Sequence, residues 1–252
     1  MRWWIMCVAA MASSAQSPPL LDNVKARAQE NLKRLPDYTC TENVERSLKA
    51  RRERRPRHWD TVRLNVAYVG GKELFGFPGT GRIDQSEVDR LVGGSISNGQ
   101  FAIFVRSVFV ENRATFGPAA ETSLDGTPAF RFHYEVPVAR SGFLLRSPPF
   151  GEAIIGYSGR FWVARDSLDL MRFVVLADNL PPSLKLLSDV TTTDYRSVSI
   201  GGRDFLLPEH STSEAKDVRG AETRNVMTFE NCREFVGESV LKFDGTESPP
   251  PN

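Results

Sequence analysis

Apolar residues near the start of the chain recur at helical spacing. Intervals of four, four and three residues separate Val24, Ala28, Leu32 and Leu35. Residues with these intervals lie on one face of an α-helix. Asp22 is suited to cap the start of such a helix, and Pro36 is suited to stop it. The pattern therefore predicts an amphipathic helix that begins at Asp22 and ends before Pro36.

The pattern then changes to the alternation that is typical of β-strands. Between Thr61 and Val69 every second residue is apolar, as in a strand with one buried face. The segment from Tyr38 to Leu48 is a second strand, and the two are suited to antiparallel pairing. Gly70 and Gly71 then predict a tight turn into a third strand at Lys72–Phe77.

A helical section follows these strands. Asp84 and Glu87 have the spacing of a capping box, and Ile83 and Val88 are placed as a hydrophobic staple around it. A second helix is predicted from Asn98 to Phe109. Its apolar face has helical spacing throughout and consists of Phe101, Phe104, Val105, Val108 and Phe109.

The rest of the chain has strand character. Phe130–Val138 alternates apolar and polar residues, although Pro137 favours an edge or a bulge there. Short strands joined by turn residues then form a meander. They are Gly159–Ala164, Leu170–Ala177, Val190–Ile200, Arg203–Lys216, Thr223–Cys232 and Phe235–Phe243. The sequence predicts an α+β fold, mainly antiparallel β, in a single β-rich domain over residues 16–247.

The first residues predict export. A short basic start, an apolar run from Trp3 to Ala12 and small residues ending at Ala15 resemble a cleaved signal peptide over residues 1–15. Lipidation at Cys7 is the alternative. The mature protein is then expected in the periplasm or the medium, and residues 248–252 are expected to form a solvated tail.

Two cysteines remain once the signal peptide is removed. The mature chain then has an even number of cysteines, Cys40 and Cys232, in an oxidising compartment, so a disulfide between them is predicted. Two free buried thiols are the alternative. No metal site is expected, because two cysteines without a nearby histidine lack enough ligands.

Charge excludes an overall electrostatic attraction to nucleic acid. The chain has 252 residues, with 32 Lys+Arg against 31 Asp+Glu and a formal charge of +1. The basic residues are nevertheless concentrated in one predicted hairpin: Arg46, Lys49, Arg51, Arg52, Arg54, Arg55 and Arg57. This hairpin is either a solvated tip or a site for lipid phosphates or an acidic partner. Trp59 beside it adds a weak preference for a membrane interface, so at most peripheral membrane contact is expected.

No catalytic motif is found, and the chain is predicted to be noncatalytic, with no cofactor and no metal. The Gly156–Gly159 segment misses the spacing of a serine nucleophile elbow. The histidines His58, His133 and His210 have no ligand spacing. A hydrolase that brings these histidines together in space remains an alternative.

Phenylalanine is abundant, with sixteen residues against five tyrosines. Core filling accounts for most of them. A broad sheet with few helices nevertheless has more apolar surface than the helices can cover. Either the sheet curls on itself or an apolar hollow remains.

One segment carries a family resemblance. The order of elements, together with Phe161-Trp162-Val163-Ala164-Arg165-Asp166-Ser167-Leu168-Asp169-Leu170-Met171-Arg172, resembles the periplasmic lipoprotein-carrier (LolA/LolB-like) superfamily over most of residues 20–243. The resemblance implies a strongly curved, open half-barrel meander with an N-terminal helix and an inserted helical lid. It also implies a hydrophobic cavity that holds acyl chains in carriers or serves as a sensor in envelope-stress regulators.

The leading hypothesis is a monomeric exported protein that binds a lipid or lipoprotein acyl chain. The residues expected to form the lid or line the cavity are Phe101, Phe104, Val105, Val108, Phe109, Phe130, Phe132, Phe161 and Trp162. The alternative is an exported scaffold or interaction module with a filled core that recognises a protein through the basic hairpin.

Overall fold

The computed structural model describes residues 18–78 and 102–235. In this part of the chain two α-helices and twelve β-strands are present, with two short 3-10 turns at Val138–Arg140 and Pro182–Leu184. In chain order the helices and strands are α1 (Pro18–Arg34), β1 (Tyr38–Lys49), β2 (Arg57–Val69), β3 (Lys72–Gly76), α2 (Ile103–Phe109), β4 (Thr115–Phe116), β5 (Ala120–Leu124), β6 (Thr127–Val136), β7 (Phe143–Ser147), β8 (Gly151–Ala164), β9 (Leu170–Asp178), β10 (Leu186–Ile200), β11 (Arg203–Asp217) and β12 (Glu222–Glu234).

The strands form one antiparallel sheet that does not close into a barrel. Its order is β3-β2-β1-β12-β11-β10-β9-β8-β6-β4, with β5 paired to β6 and β7 paired to β8. Among the described residues, the last strand, β12, therefore lies beside the first, β1. Hairpins connect β8 through β12 in sequence, as the meander predicted. The predicted fold class, a curved half-barrel of mainly antiparallel strands with two helices, is confirmed.

Helix α1 begins earlier than the sequence pattern predicts. It starts at Pro18 rather than Asp22, so Asp22 lies inside the helix and does not cap it. A proline in the first turn is compatible with a helix start, because the first N–H groups have no partner within the helix. The apolar face is as predicted: Val24 is buried, and Ala28 and Leu32 pack against the same core.

The strand predictions agree with the structure in the long strands and miss the short ones. Strands β1 and β2 pair antiparallel, with Val44 opposite Val62. Gly70 and Gly71 make the predicted turn with positive φ angles of 57° and 81°. Strand β8 begins at Gly151, eight residues before the predicted start. Strands β4, β5 and β7 were missed, since segments of two to five residues are too short to show a period.

The predicted disulfide is present between Cys40 on β1 and Cys232 on β12. These strands are neighbours, and their register shifts between Thr39 and Thr41. Asn231 lies beside Cys232 on β12 and has a positive φ of 53°. A bulge at this point brings the two sulfur atoms together across the ladder. The bond joins the first strand of the fold to the last.

Two large clusters of buried side chains lie on the inner face, the face of the sheet that carries the core. The first cluster belongs mainly to β1, β2, β11 and β12 and contains Tyr38, Leu64, Val66, Phe75, Leu207, Met227 and Phe229 among others. The second joins the two helices to β6, β8 and β9. A smaller cluster of Leu145, Ile155 and Leu184 lies under β7.

Several predictions fall outside the described residues. They are the signal peptide at 1–15, the capping box at Asp84–Glu87, Phe101, the strand at Phe235–Phe243 beyond its first residue, and the tail at 248–252. The single-domain assignment over residues 16–247 stays a prediction. In residues 18–78 and 102–235, no helix has the length and apolar content needed to span a membrane.

Candidate functional site

Aromatic rings cover the inner face of β6, β8 and β9. Phe132 stacks on Phe161 with ring centroids 5.0 Å apart, and Tyr134 stacks on Phe173 at the same distance. We call these four residues the aromatic wall. The hydroxyl of Tyr134 donates a hydrogen bond to the Val174 carbonyl oxygen at 2.9 Å.

A glycine makes this arrangement possible. A Cβ atom at Gly159 would collide with the Val174 carbonyl oxygen and lie 2.9 Å from the Tyr134 hydroxyl. Only a residue without a side chain fits where the backbone of β8 approaches β9 and a tyrosine this closely. The sequence shows the glycine, but not the two groups that require it.

Helix α2 inserts its apolar face against the aromatic wall. Phe109 meets Phe161 edge-on with centroids 4.9 Å apart, and Phe104 meets Tyr157 edge-on at 5.4 Å. Val105 and Val108 are buried beside them. The space between α2 and the wall is therefore occupied by side chains of α2, where the sequence argument left open an apolar hollow.

Within the described residues, hydrogen bonds with four neighbouring side chains hold α2 in this position. The Tyr157 hydroxyl donates to the Ser107 hydroxyl at 2.8 Å, and the Gln29 amide on α1 donates to the Phe109 carbonyl oxygen at 3.0 Å. At the other end the backbone N–H of Ala102 donates to a Glu73 carboxylate oxygen at 2.9 Å. The remaining contact runs from Arg106 to the Tyr68 hydroxyl at 3.2 Å.

The structure brings together most of the predicted lining residues. Phe104, Val105, Val108, Phe109, Phe132 and Phe161 belong to one buried cluster, and Phe130 packs against it. Trp162 does not line the interior: it follows Phe161 on β8, so it lies on the opposite face of the sheet and is half-buried there. Phe101 lies outside the described residues.

Helix α1 packs against the same buried cluster as α2 and is clamped to the turn between β8 and β9. Arg27 donates to both oxygens of Asp169, at 2.8 and 3.2 Å, and Asn31 donates to the nearer oxygen at 2.8 Å. Partial burial raises the pKa of Asp169, but these hydrogen bonds outweigh it and leave the pKa below its usual value. The acidic turn of the resemblance motif is thus the anchor of α1.

Replacing Asp169 by alanine should loosen this clamp. We expect Asp169→Ala to lower the free energy of unfolding by about 1–2 kcal/mol, because three charge-assisted hydrogen bonds to a partly exposed carboxylate are lost. Urea denaturation measures the change. Asp166→Ala, an exposed position in the same turn, is the control and should stay within about 0.5 kcal/mol of the parent. Equal effects at both positions would contradict the clamp.

A carboxyl group without a partner lies in the first core cluster. Glu42 on β1 is fully buried, and among the described residues neither of its side-chain oxygens has a hydrogen-bond partner. Burial, reinforced by the nearby Glu73, raises the pKa of Glu42 to about 8. The carboxyl group is therefore mostly neutral at pH 7.

The inner face is polar on β10 and β11. Five side chains with polar groups are buried there: Asp189, Thr191, Thr193, Ser211 and Ser213. The hydroxyls of Thr193 and Ser211 are hydrogen-bonded at 2.9 Å. Burial raises the pKa of Asp189 to about 6. The sequence analysis missed this region, although a strand with threonine at 191–193 in place of alternating apolar residues is a signal for it.

The basic hairpin divides into a paired stem and an exposed tip. Arg46 is buried, forms an ion pair with Asp60 and lies over the Trp59 ring at 4.6 Å. The hydrogen bond from Arg46 lowers the pKa of Asp60. Lys49 pairs with Glu222 and Arg57 with Glu53. The exposed residues of the tip are Arg51, Arg52, Arg54 and Arg55.

The histidines lie on three different strands: His58 on β2, His133 on β6 and His210 on β11. His133 lines an open cleft of about 600 Å³, together with residues of β4, β6 and β8 such as Phe116 and Arg160. Among the described residues no group of three His, Cys, Asp or Glu side chains is arranged to hold a metal ion.

Comparison with known proteins yields structural neighbours only. No family model matches the sequence, and no curated protein matches it significantly. The structural neighbours include a Vibrio parahaemolyticus domain described as an outer membrane lipoprotein-sorting protein, with 14% identity, a TM-score of 0.43, and coverage of 89% of this chain and 97% of that one.

Two further neighbours cover similar shares. A DUF1329 family protein from Desulfovibrio piger has 15% identity and a TM-score of 0.43, and the match covers 88% of this chain and 94% of that one. The lipoprotein LppX of Mycobacterium tuberculosis has 12% identity and a TM-score of 0.30, with coverage of 88% and 100%.

Proposed function

We propose that this chain is an exported, noncatalytic protein that binds a lipid or lipoprotein acyl chain between α2 and the aromatic wall. The observation that carries the proposal is that a helix of only seven residues, α2, fills a ring-lined space with four apolar side chains. In this view the structure is the closed form. An acyl chain takes the place of the α2 side chains in the open form.

The length of α2 favours displacement. Isolated helices shorter than about 12–15 residues are marginal in water, so α2 keeps its position through its contacts and not through its own stability. Its polar contacts are one hydrogen bond each with Tyr68, Tyr157 and Gln29 and, at its start, two backbone N–H groups that share one Glu73 oxygen. Each of these contributes about 0.5–1.5 kcal/mol net.

The free energy lost when the four apolar side chains of α2 leave the interior is comparable with the free energy gained when an acyl chain is buried there. Withdrawing four apolar side chains from the interior costs about 6–12 kcal/mol, at about 1.5–3 kcal/mol for each. Burying an acyl chain returns about 0.8 kcal/mol per methylene group. About 8–15 methylenes therefore compensate, and a 16-carbon chain has about 14. A single fatty acyl chain is thus long enough to exchange with α2.

Export is supported by the disulfide. The Cys40–Cys232 bond forms and persists in an oxidising compartment such as the periplasm or the medium. The predicted signal peptide at residues 1–15 agrees with this location. A carrier of acyl chains in the cell envelope needs no catalytic group.

Fatty-acid binding by the mature chain tests the proposal. A fluorescent 16-carbon fatty acid is titrated into residues 16–252, and palmitate is used to compete it off. Tyr157→Phe removes one hydrogen bond to α2 but keeps the ring, so it should weaken the closed form and tighten fatty-acid binding by about 2–10-fold.

The matched control is Tyr134→Phe. This variant removes a hydrogen bond of similar length from a tyrosine near Tyr157, but the partner of that bond is Val174 on β9 and not α2. This variant should leave the affinity within twofold of the parent. The proposal fails if the parent chain binds no fatty acid, or if both variants change the affinity equally.

A different observation favours a second function. The interior is filled, and four arginines of the hairpin tip are exposed, as expected for a module that recognises an acidic protein. A chain that binds no fatty acid but retains a protein partner only while Arg51, Arg52, Arg54 and Arg55 are intact would support this alternative.

A further inference from the structure

Four turns meet at one end of the sheet. The β1–β2 turn touches the β11–β12 turn, since a Cβ atom on Gly220 would lie 3.2 Å from Cγ of Arg51. The backbone N–H of Val218 donates to the Lys185 carbonyl oxygen between β9 and β10 at 2.9 Å. The Arg219 guanidinium lies 5.8 Å from the ring of Phe150 in the β7–β8 turn. The turns therefore form one continuous surface.

This surface carries six exposed cations. We call it the basic rim and define it by Arg51, Arg52, Arg54, Arg55, Lys185 and Arg219, together with the apolar residues Phe150, Leu187 and Val218. Within the part of the chain that the structure describes, none of the six cations forms an ion pair with an acidic side chain. Their charges are free to face an external anion.

Large apolar side chains stand beside these cations in the solvent. Phe150, Leu187 and Val218 are 43%, 60% and 49% exposed. Behind Phe150, Leu144 on β7 lies directly opposite Ile154 on β8, and both are exposed as well. Single exposed apolar residues are ordinary, but here five occur at one end of the fold among unpaired cations.

A cleft of about 350 Å³ opens within the rim. Its lining combines cationic and apolar side chains with one acid: Lys49, Arg51, Lys216 and Arg219, then Leu187 and Val218, and Glu222. Lys49 and Lys216 both pair with Glu222. Arg51 and Arg219 are left to bind an anionic oxygen of the kind that a phosphate group presents.

We propose that the basic rim docks on an anionic phospholipid bilayer. The arginines and Lys185 meet the lipid phosphates, while Phe150, Leu187 and Val218 enter the layer between the headgroups and the acyl chains. Basic residues beside exposed apolar ones are the combination that binds such an interface. A chain with a formal charge of +1 gains this attraction only through a local patch.

The rim lies next to the interior. The small apolar cluster under β7 contains Leu145, Ile155 and Leu184, and Phe143 packs against both this cluster and the cluster of the aromatic wall. Apolar contacts thus continue from the cluster under β7, where Leu184 directly precedes Lys185 of the rim, through Phe143 to Phe104 of α2. The docking proposal extends the proposed lipid binding but does not depend on it, because the two are measured separately.

Vesicle sedimentation tests the docking. The mature chain is mixed with vesicles of phosphatidylglycerol and phosphatidylcholine (about 30:70), or of phosphatidylcholine alone, in about 0.1 M salt. We expect binding to the anionic vesicles only, with weaker binding at about 0.5 M salt as screening increases. Replacing Arg51, Arg52, Arg54 and Arg55 by glutamine should reduce the affinity by about 100- to 1,000-fold.

The control removes four cations elsewhere. Arg63, Lys72, Arg160 and Arg233 are exposed and lie away from the rim, so their replacement by glutamine changes the net charge equally and should keep most of the binding. Leu187→Ser should weaken binding even at low salt.

Three outcomes would overturn the docking proposal. They are a parent chain that binds no anionic vesicles, equal losses in both fourfold variants, and capture of an acidic protein by the rim with no binding to vesicles. The soluble fatty-acid titration is independent of all three, so failure of docking and failure of acyl-chain binding are distinguishable.

Discussion

Glu42→Gln is expected to stabilise the protein at pH 8 and to flatten its pH dependence. The folded-state pKa of Glu42 is about 8, whereas a glutamate in the unfolded chain titrates near 4.3. Below pH 4 both states hold the proton. Between the two values only the folded state keeps it, so the free energy of unfolding falls by about 1.4 kcal/mol for each pH unit. Above pH 8 the full cost, about 5 kcal/mol, is present.

Urea denaturation from pH 4 to pH 9 measures this effect. Glutamine has nearly the shape of protonated glutamate and does not ionise, so the variant should lose the decline that Glu42 contributes. Asp189, with a pKa of about 6, adds a smaller decline at lower pH that remains in the variant. Glu45→Gln, at an exposed position on the same strand, should keep the parental pH profile. A parental profile in Glu42→Gln would contradict the assignment.

Loss of the disulfide is the second large effect that we expect. The bond closes a loop with a sequence separation of 192 residues, and the chain-entropy model gives about 5 kcal/mol for a loop of this length. Much of a domain's usual 5–15 kcal/mol of stability depends on it. Reduction should therefore shift the urea midpoint strongly downward.

A double variant separates the bond from the reagent. Cys40→Ala with Cys232→Ala should be as unstable as the reduced parent and should not respond to reductant. Because Cys40 is buried and Cys232 only half-buried, the alanine at position 40 adds a small packing loss. An unchanged midpoint in the reduced parent would show that the pairing of β1 with β12 alone fixes the ends of the fold.

The sequence predicted best where a long strand has one apolar face. The alternation at Val62, Leu64 and Val66 identified β2, and the hairpin residues Gly70 and Gly71 identified its turn. The disulfide followed from counting cysteines. The start of α1 was misplaced because Asp22 looks like a cap, while the helix extends by one more turn to Pro18.

The site was predicted only in part. Helical spacing correctly grouped Phe104, Val105, Val108 and Phe109, because residues on one helix face share their surroundings. Trp162 was assigned to the lining together with Phe161, although the two-residue period of β8 places these neighbours on opposite faces of the sheet. Glu42 lies on the same face of β1 as Cys40 and Val44, so the strand period points it inward. The sequence does not show that this carboxyl group is buried without a hydrogen-bond partner among the described residues.

The sequence by itself determined the helices and the long strands, the disulfide and the concentration of positive charge, since these depend on periods, counts and neighbours along the chain. Only the tertiary structure decided that α2 fills the space over the aromatic wall, and that Arg51, Lys185, Phe150 and Arg219 meet at one rim. Those four residues come from four different turns, and only the pairing of distant strands brings them together.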